Sequence, residues 1–530
     1  MIFENEISNL SLKLFKKMLS LALLLCVSFS SQLQAKKPNI VIIMADDMGF
    51  SDIGSYGGEI KTPNLDQLAT NGLRYTNFYN ASRCWPTRTS LLTGYYERTV
   101  SSRPVTGKTG FQNWVPFLPH QLKNQGYRSY MAGKMHVVGA DSAVAAGFDR
   151  SYFTKAIDWY LTPKHIIVDG KRVPSPDPAS GFHLTDKITE QLSGYLDDHQ
   201  KNHNEKPFFL YAAHMAPHWP LQAHQADIDK YKDKYDGGWD ELRAERLKRI
   251  KAMGLLKGDL YPMEEGIDII PENPDRWGEG EVYSAVEWQS LNQKQKDFQS
   301  DKFAIHAALV EHLDRSIGQL IQKLKDIGEY NNTIIFFNSD NGASSEMFTA
   351  RPHDKNLPMG TWGTYLGIGP AWSTASNTPF RRHKAHVYEG GIATPLIVHW
   401  PKGITNPGLR HEPAHVIDYM PTLIELAGGR ALTTHKGTNI PITLPGKSLL
   451  PTFNQESSLS RELLFFEHQG TEALRMKDWK IVHGKDAPWE LYNLKNDRTE
   501  TTNLASQKPE QLSMMVKKFN AFKQEINLWK

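Results

Sequence analysis

Two pairs of polar residues stand just after short apolar runs in this sequence. They are Asp46-Asp47, after Ile40–Met44, and Asp340-Asn341, after Ile334–Phe337. Carboxylates are costly to bury unless they are paired or bind a metal. Three carboxylates and one amide oxygen are hard ligands that suit Ca²⁺ or Mg²⁺, and no Cys/His spacing suits zinc. Either pair alone is better explained as a strand-end turn, but together, and with the cysteine described next, they predict a metal site.

The sequence has two cysteines, and Cys84 is the one outside the first 35 residues. Since residues 1–35 have the form of a secretory signal, the mature chain would hold one thiol and no internal disulfide. Pro86 is tolerated in a first helical turn, so the sequence predicts a helix that starts near Cys84. Helix amino ends attract anions, and Arg88, one turn later, would lie on the same side. The alternative is a small buried hydrophobic residue.

Four further side chains suit anion binding and proton transfer. They are Lys134, His136, His218 and Lys384. Lys134 and His136 are two positions apart, so in an extended segment they would face the same way. Taken singly, each has an ordinary explanation, such as a turn histidine at 218 or a surface lysine at 384. Three neighbours receive no role from the sequence: His214, Arg382 and His383.

Several segments resemble type I, formylglycine-dependent sulfatases of the alkaline-phosphatase superfamily, with arylsulfatases among them. The first signature is Cys84-Trp85-Pro86-Thr87-Arg88, which matches C-x-P-x-R and is followed by Leu91-Leu92-Thr93-Gly94. The second is Gly126 to His136, which ends in G-K-x-H and departs from many relatives at Met135, where they carry tryptophan. Segments at 216–220 and 377–384 extend the resemblance, which spans nearly the whole mature chain.

This resemblance implies a mechanism and a set of site residues. Cys84 would be oxidised to formylglycine (3-oxoalanine) by a formylglycine-generating or sulfatase-maturating enzyme, and its hydrate would attack the ester sulfur. The implied ligands of Ca²⁺, or alternatively Mg²⁺, are Asp46, Asp47, Cys84, Asp340 and Asn341. In the implied roles, Lys134 and Lys384 contact the sulfate group, and His218 with Lys384 protonates the departing alcohol. His136 takes a proton from the second hydroxyl, and Arg88 holds the modified residue and the carboxylates.

Composition is ordinary for a large globular protein. The 530 residues carry a net charge of +3, with 22% charged and 40% apolar residues, which gives no support for nucleic-acid binding. In residues 1–35, lysines precede the apolar stretch Met18–Phe29, and we expect cleavage after Ala35 and export to the periplasm or the medium. That stretch, about 12 residues, is shorter than the roughly 20 that span a bilayer. A lipoprotein signal ending at Cys26 is a further alternative to simple export.

Four apolar runs lack the alternation of half-exposed strands and predict buried strands of a mostly parallel sheet. They are Ile40–Met44, Phe208–Tyr211, Ile334–Phe337 and Pro395–Val398. Helical stretches lie between them, as at Asn64–Asn71 and Phe303–Ile327, so we predict an α/β domain with helices on both sheet faces. Ligands bind at the carboxyl ends of strands in such sheets. Asp46, His218 and Asp340 can therefore converge.

We predict a signal at 1–35, a catalytic domain at 36–455 and a smaller C-terminal α+β subdomain at 456–530. A composition shift near 451–460 marks the boundary, and a final helix is predicted at about Pro509–Asn527. The antiparallel sheet of this subdomain is implied by the resemblance. Residues 222–300 form a polar insertion. Its tryptophans, Trp239, Trp277 and Trp288, either stack on sugars or pack in the core, and its basic helix is expected to be solvated rather than to bind an anionic polymer.

Together these features predict an exported sulfatase that acts on sulfate esters of carbohydrates, with aryl sulfates also accepted. A phosphonate or phosphate monoester hydrolase of the same superfamily is one alternative. A non-catalytic binder of sulfated glycans is another, expected if Cys84 remains a thiol. A structural cell-surface protein is disfavoured, because it would leave too many chemically capable residues unexplained.

Overall fold

The long apolar runs of the chain form the centre of one large sheet. In this computed structural model, residues 36–101, 111–137, 142–154, 158–264, 277–347 and 353–527 are described. The described strands are β1 (Asn39–Asp46), β2 (Leu73–Tyr75), β3 (Phe78–Tyr79), β4 (Arg128–Lys134), β5 (Arg150–Thr154), β6 (Ile167–Val168), β7 (Lys171–Arg172), β8 (Phe208–Pro217), β9 (Thr333–Ser339), β10 (Leu396–His399), β11 (Gly408–Arg410), β12 (Ala414–His415), β13 (Thr434–His435), β14 (Thr438–Asn439), β15 (Leu464–His468), β16 (Thr471–Met476), β17 (Trp479–His483) and β18 (Trp489–Asn493).

The described α-helices cover both faces of this sheet and part of the C-terminal region. They are α1 (Pro63–Thr70), α2 (Cys84–Thr93), α3 (Glu97–Val100), α4 (Leu118–Lys123), α5 (Ser142–Ala145), α6 (Leu184–Asn202), α7 (Gln225–Ile228), α8 (Gly238–Ala252), α9 (Gln293–Asp326), α10 (Gly369–Ser376), α11 (Glu389–Ile392), α12 (Tyr419–Leu426) and α13 (Pro509–Asn527). None of the described helices combines the length and the apolar character needed to cross a bilayer. The predicted export signal lies outside the described residues.

The large sheet has ten strands in the order β11-β2-β10-β9-β1-β8-β4-β5-β6-β7. Its five central strands, from β9 to β5, are parallel, and antiparallel pairs lie towards both edges. The fourth predicted run, Pro395–Val398, lies in β10, which is antiparallel to β9 rather than parallel to it. The predicted mostly parallel sheet with flanking helices is otherwise confirmed, because burial on both faces favours continuous apolar strands.

Helix α9 is the longest element of the layer that covers one face of the sheet. Asn292 caps its amino end by accepting a hydrogen bond from the Gln295 amide, and the Gln295 side chain accepts one from Asn292 in return. The predicted apolar face, which includes Leu309, Leu313 and Ile317, is fully buried. The helix begins at Gln293, ten residues before the predicted start at Phe303, because its first turns are polar and carry no apolar period.

The insertion tryptophans lie in the core, so sugar stacking does not account for them. Trp239 and Trp288 are buried and meet edge to face at a ring-centroid distance of 4.7 Å, and both pack on Trp372. The expectation of a solvated basic helix was wrong at Arg246. This residue is fully buried on α8, and its guanidinium pairs with Asp52 at 2.8 Å.

The C-terminal antiparallel sheet, β15-β16-β17-β18, packs with α13, as the resemblance implied. It forms part of one compact unit, residues 38–530, with the large sheet. The boundary at residue 455 stays a prediction. A buried ionic cluster joins the C-terminal sheet to α11: Glu389 of α11 lies 2.9 Å from Lys480 Nζ on β17 and 2.7 Å from Arg498 Nε.

Candidate active site

The carboxyl ends of neighbouring parallel strands bring distant sequence motifs together at one edge of the sheet. Strand β1 ends at Asp46, β4 ends at Lys134, β9 leads into Asp340, and β8 leads into His218. The backbone amide of Asp340 donates to the Ala45 carbonyl at 3.1 Å, which places the ends of β9 and β1 side by side. Sequence positions up to about 290 apart therefore share one buried cluster, as strand-end geometry predicts.

The carboxylate group at this edge is buried and crowded. Asp46, Asp47, Asp340 and Asn341 are at most 3% exposed. Asn341 Nδ2 donates to Asp47 Oδ1 at 2.7 Å, so Asn341 contacts Asp47 through its amide nitrogen and not through its amide oxygen. Burial and the neighbouring Asp340 raise the pKa of Asp46 to about 8, although Lys134 and Arg88 oppose the rise.

These residues fit a hard divalent cation. Asp46 Oδ1 and Asn341 Oδ1 are both buried and have no hydrogen-bond partner among the described residues. One potential ligand atom each from Asp46, Cys84 and Asp340 lies within 4.8 Å of the other two, and the same holds for Asp46, Asp47 and His218. Oxygen donors of this kind suit Ca²⁺ or Mg²⁺. Asp46 belongs to both groups, so Asp47, Cys84 and Asp340 each have a potential ligand atom within 4.8 Å of an Asp46 oxygen.

Cys84 is the first residue of α2, which begins where Pro86 and the C-x-P-x-R spacing predicted. The helix ends at Thr93, since Gly94 has a left-handed φ of 76° and its amide donates back to the Ser90 carbonyl. The Cys84 side chain is 3% exposed. Burial raises the pKa of its thiol, with Lys134 and Lys384 opposing the effect. The unmodified side chain is therefore a protonated, poor nucleophile at neutral pH.

Arg88 connects α2 to the carboxylates. Its guanidinium is fully buried and donates from Nε to Asp340 Oδ2 at 2.9 Å and from Nη1 to the Lys134 carbonyl at 2.8 Å. Although burial opposes a charge, Asp340 raises the pKa of Arg88 further, and the side chain stays cationic. Arg88 and Cys84 are thus both placed near the Asp340 carboxylate.

Two lysines face the carboxylates from different elements. Lys134 Nζ lies 2.5 Å from Asp46 Oδ2, and Lys384 Nζ lies 2.9 Å from Asp47 Oδ2. Both side chains are at most 3% exposed. Burial lowers the pKa of Lys384, but Asp47 and then Glu346 raise it well above its ordinary value. The surface-lysine alternative for Lys384 is therefore wrong, and this residue is a buried cation.

His218 shares this cluster through one ring nitrogen. Its Nδ1 lies 2.5 Å from the Trp219 carbonyl oxygen, so Nδ1 is assigned the proton and Nε2 is the acceptor. Nε2 lies 3.4 Å from Lys384 Nζ and 3.3 Å from Asp47 Oδ2. Burial and the two lysines hold the pKa of His218 well below its ordinary value. The ring is neutral at neutral pH.

His136 reaches the site by a turn and not by an extended strand. Strand β4 ends at Lys134, and His136 has a left-handed φ of 43°, so the expected strand alternation does not apply. Its buried Nδ1 has no hydrogen-bond partner among the described residues. Burial and then Lys134 lower its pKa well below the ordinary value, so it is an unprotonated imidazole close to the cationic groups.

The sequence motifs missed Glu346, which bridges two cations at the site. Its Oε2 lies 2.9 Å from Lys384 Nζ, and its Oε1 lies 2.6 Å from Arg83 Nη2. No spacing rule marked it, because it follows the Asp340-Asn341 pair in a loop. The three residues left without a role have other surroundings: Arg382 pairs with Glu264, His383 contacts Ser345, and the buried His214 has no hydrogen-bond partner among the described residues.

Comparison with known proteins agrees with this geometry. Residues 38–429 match the Sulfatase family, and residues 381–525 match the family "N-sulphoglucosamine sulphohydrolase, C-terminal". An uncharacterized sulfatase of Schizosaccharomyces pombe is 31% identical, with 95% of this chain and 96% of that protein covered. An arylsulfatase of Klebsiella aerogenes is 30% identical, with 74% of this chain and 88% of that protein covered.

A solved structure has the same fold over nearly the whole chain. Ps i-CgsB in complex with k-i-k-neocarrahexaose superimposes with a TM-score of 0.65 at 24% identity, covering 92% of this chain and 93% of that one. The family match covers most of the sequence and includes every strand end that contributes to the buried cluster. The chain belongs to the sulfatase family of the alkaline-phosphatase superfamily and is a sulfuric ester hydrolase.

Proposed function

We propose that this sulfatase cleaves sulfate esters of carbohydrates after export, with formylglycine at position 84 and a bound Ca²⁺ ion. One observation carries the proposal. Cys84 lies at the amino end of a buried helix, with potential ligand atoms of Asp46 and Asp340 within 4.8 Å and with Lys134 and Lys384 acting on its pKa. Few arrangements other than a modified nucleophile beside a cation explain why so many charges are buried around one thiol.

The proposed cation ligands are Asp46, Asp47, Asp340, Asn341 and the modified side chain at position 84. When bound, Ca²⁺ supplies fixed positive charge where negative charge develops on the nucleophile and on the sulfate oxygens, and the hydrated aldehyde supplies the attacking hydroxyl. Arg88 holds the Asp340 carboxylate in place and keeps the start of α2 against the carboxyl end of β4. The protein thus fixes the charges before substrate arrives.

The lysines bind the anionic ester. Lys134 pairs with Asp46, and Lys384 pairs with Asp47. Two ammonium groups and one divalent ion match a singly charged sulfate ester better than a doubly charged phosphate monoester. Burial of the two ammonium groups strengthens their attraction for the sulfate oxygens, because the local dielectric constant is lower than that of water.

Lys384 and His218 transfer a proton to the departing alcohol. The raised pKa of Lys384 and the lowered pKa of His218 mean that the proton between them resides on Lys384 Nζ. His218 Nε2, at 3.4 Å, orients that ammonium group and can relay its proton. His136 is the unprotonated base that suits removal of a proton from the nucleophile.

Carbohydrate substrates are proposed on the strength of relatives. The solved structure named above is a complex with k-i-k-neocarrahexaose, and residues 381–525 match the N-sulphoglucosamine sulphohydrolase C-terminal family. The form of residues 1–35 supports export, which would bring the enzyme to extracellular or periplasmic glycans.

Two measurements test the proposal. Intact-mass analysis of the purified protein should show the loss of mass that accompanies oxidation of Cys84 to the aldehyde. Sulfate release should then be measured over a panel of sulfated mono- and oligosaccharides, beside matched aryl sulfate and aryl phosphate esters. We expect turnover of at least one sugar sulfate and a preference for aryl sulfate over aryl phosphate. Full activity with an unmodified thiol, or a preference for phosphate, would overturn it.

A further inference from the structure

A cleft outside the catalytic site is lined by residues at or near strands of both sheets. It has a volume of about 900 Å³, which lies within the range of sites that hold small organic ligands. Its walls come from the end of β2, the segments after α8 and β11, the linker before β15, and the turns after β16 and β18. Among the described residues that line it, none has a catalytic or metal-binding role in the proposed mechanism.

Six lysine and arginine side chains line this cleft. Arg461 already pairs with Asp418 at 2.6 Å, and the other five are Lys257, Arg475, Lys477, Lys495 and Arg498. The three lysines are exposed, whereas Arg475 and Arg498 are each 7% exposed. The cleft thus combines cations that solvent reaches with cations that the protein holds away from solvent.

One of the buried guanidinium groups has a nitrogen without a partner. Arg498 donates from Nε to Glu389 Oε2 at 2.7 Å and from Nη1 to the Thr76 carbonyl at 2.8 Å. Its Nη2 is buried and has no hydrogen-bond partner among the described residues. A buried charged donor without an acceptor is costly, so a ligand that supplies an acceptor to this nitrogen would be bound favourably.

The buried charges around Glu389 do not balance. Three cations share two carboxylates in this network, and the five groups are Arg475, Lys480, Arg498, Glu389 and Glu500. The guanidinium carbons of Arg475 and Arg498 lie 5.2 and 5.6 Å from the centroid of the same Tyr79 ring. Two like charges are thus held beside one ring, and both side chains line the cleft. This excess of positive charge favours an anionic ligand there.

The cleft keeps a net positive charge although four carboxylates also line it. Three of the four are held by the protein itself. Glu456 Oε1 accepts hydrogen bonds from two backbone amides at 3.0 Å, and Glu412 Oε1 accepts one from the Leu459 amide at 2.9 Å. Glu462 pairs with Lys518 at 2.5 Å. Six cations against four carboxylates, three of them already bonded, leave the lining cationic.

We propose that this cleft binds a sulfated unit of an oligosaccharide and so forms a second glycan-binding site on the enzyme. The choice of a sulfated carbohydrate rests on the proposed function, whereas the preference for an anion rests on the cations named above. The lining also includes Asp478 and the hydroxyl groups of Ser458 and Ser460. A carboxylate repels a bare oxyanion but accepts hydrogen bonds from sugar hydroxyls. The mixed lining and the volume therefore fit a charged sugar better than a free inorganic anion.

The test is limited acetylation of the lysines of the purified full-length protein, followed by mass spectrometry of its peptides. The probes are sulfated hexasaccharides of the carrageenan and heparin types. With a hexasaccharide at about four times its dissociation constant, acetylation of Lys257, Lys477 and Lys495 should slow about 5-fold, because bound molecules are protected. Lys171 is exposed on β7, at the opposite edge of the large sheet from β11, and its acetylation should be unchanged.

Two further probes show whether the sugar and its sulfate groups are both needed. The desulfated hexasaccharides should give no protection, and neither should inorganic sulfate at the same total sulfate concentration. Lys477→Glu combined with Lys495→Glu should weaken binding of the sulfated hexasaccharide about 10-fold, whereas Lys171→Glu should leave it unchanged. The four exposed positions are far from the buried core, so these variants should fold.

The readout needs no turnover, so Cys84→Ala protein should give the same protection. Failure of the proposed catalysis would appear in the mass of residue 84 and in sulfate release, and it would leave the acetylation pattern in place. Three results would overturn the second site: no protection of the three lysines by either sulfated hexasaccharide, equal protection of Lys171, or equal protection by inorganic sulfate alone.

Discussion

Arg88 and Asp340 form a fully buried ion pair in which Nε and Nη2 of the guanidinium both reach Oδ2, at 2.9 and 2.8 Å. The second oxygen of Asp340 accepts one long hydrogen bond among the described residues, at 3.3 Å from the Asp47 amide, and stays available to a cation. One carboxylate can thus serve two cations, with Arg88 on one oxygen and a metal ion on the other.

Removal of Arg88 should destabilise the whole protein. Arg88→Ala leaves Asp340 buried without its countercharge, so we expect a loss of about 3–5 kcal/mol in the free energy of unfolding. Urea denaturation of the purified variant measures this. Arg83→Ala is the matched control, because its pair with Glu346 is partly exposed and should cost about 0–1 kcal/mol. Equal stabilities of the two variants would contradict the assignment.

Replacement of the thiol should abolish turnover without unfolding the chain. Cys84→Ala cannot form the aldehyde, so sulfate release should fall to background, while thermal unfolding stays close to that of the wild type. Wild-type protein produced in cells without a maturating enzyme should behave in the same way. Retained turnover in Cys84→Ala would mean that another side chain attacks the ester.

Metal removal should affect activity and stability together. Chelation should abolish sulfate release, and Ca²⁺ should restore it, because Asp46, Asp47 and Asp340 repel one another without a cation. With Ca²⁺ at 100 times its dissociation constant, the folded state gains about 2.7 kcal/mol, which thermal unfolding with and without the ion measures. In Asp46→Asn this gain should shrink. A chelated enzyme with unchanged turnover would contradict the metal assignment.

Lys384 and Lys134 should respond differently to the leaving group. Both contribute charge to sulfate binding, but Lys384 also holds the proton destined for the alcohol. Lys384→Ala should therefore lose about 10²–10⁴ in kcat on sugar sulfates and much less on nitrophenyl sulfate, whose leaving group needs no proton. Lys134→Ala is the matched control and should lose a similar factor on both substrates. Steady-state rates over a series of aryl sulfates decide between the two patterns.

The ionic cluster beneath the C-terminal sheet should make stability depend on acid pH. Burial alone would raise the pKa of Glu389, but Lys480 and Arg498 lower it from about 4.5 to about 2. A carboxylate with a lowered folded-state pKa contributes stability above its unfolded value and loses it as the pH falls towards the folded value. We expect unfolding free energy to drop between about pH 4.5 and pH 2, and less steeply in Glu389→Gln.

Glu500 gives the control for the sign of this effect. Burial raises its pKa from 4.5 to about 7, so its contribution weakens as the pH rises and not as it falls. Glu500→Gln should therefore alter the free energy of unfolding mainly between about pH 4.5 and pH 7. The loss of stability between about pH 4.5 and pH 2 should be unchanged in this variant. Unfolding curves at a series of pH values, with both variants, separate the two carboxylates. If Glu389→Gln lost stability between about pH 4.5 and pH 2 as steeply as the wild type, Glu389 would not be the source of this pH dependence.

Much of the site was predictable because strand ends are predictable. The runs before Asp46 and Asp340 are continuous and apolar, which requires burial on both faces, and parallel neighbours then place their ends together. Cys84 and Arg88 followed from a short local motif whose helix starts where Pro86 indicates. The antiparallel direction of β10 did not follow, since buried strands of either direction have the same composition.

The features that the sequence missed depend on contacts between distant segments. Glu346 has no motif, and its importance comes from meeting Arg83 and Lys384. His136 depends on a left-handed turn that a non-glycine residue rarely adopts. The burial of Trp239 and Arg246 follows from where α8 packs, which its weakly periodic sequence does not disclose. His183 and His312, whose ring centroids lie 4.2 Å apart, meet because α6 packs against α9.

The 3% exposure of Cys84 has a consequence for how the active protein is made. If Cys84 is oxidised as proposed, the oxidising enzyme cannot reach this buried side chain in the folded protein, so it would have to act before folding is complete. The fraction of active protein would then depend on two rates, the rate at which the new chain folds and the rate at which the enzyme oxidises Cys84. Substitutions that slow folding would therefore raise the proportion of active molecules, even where they also lower the free energy of unfolding.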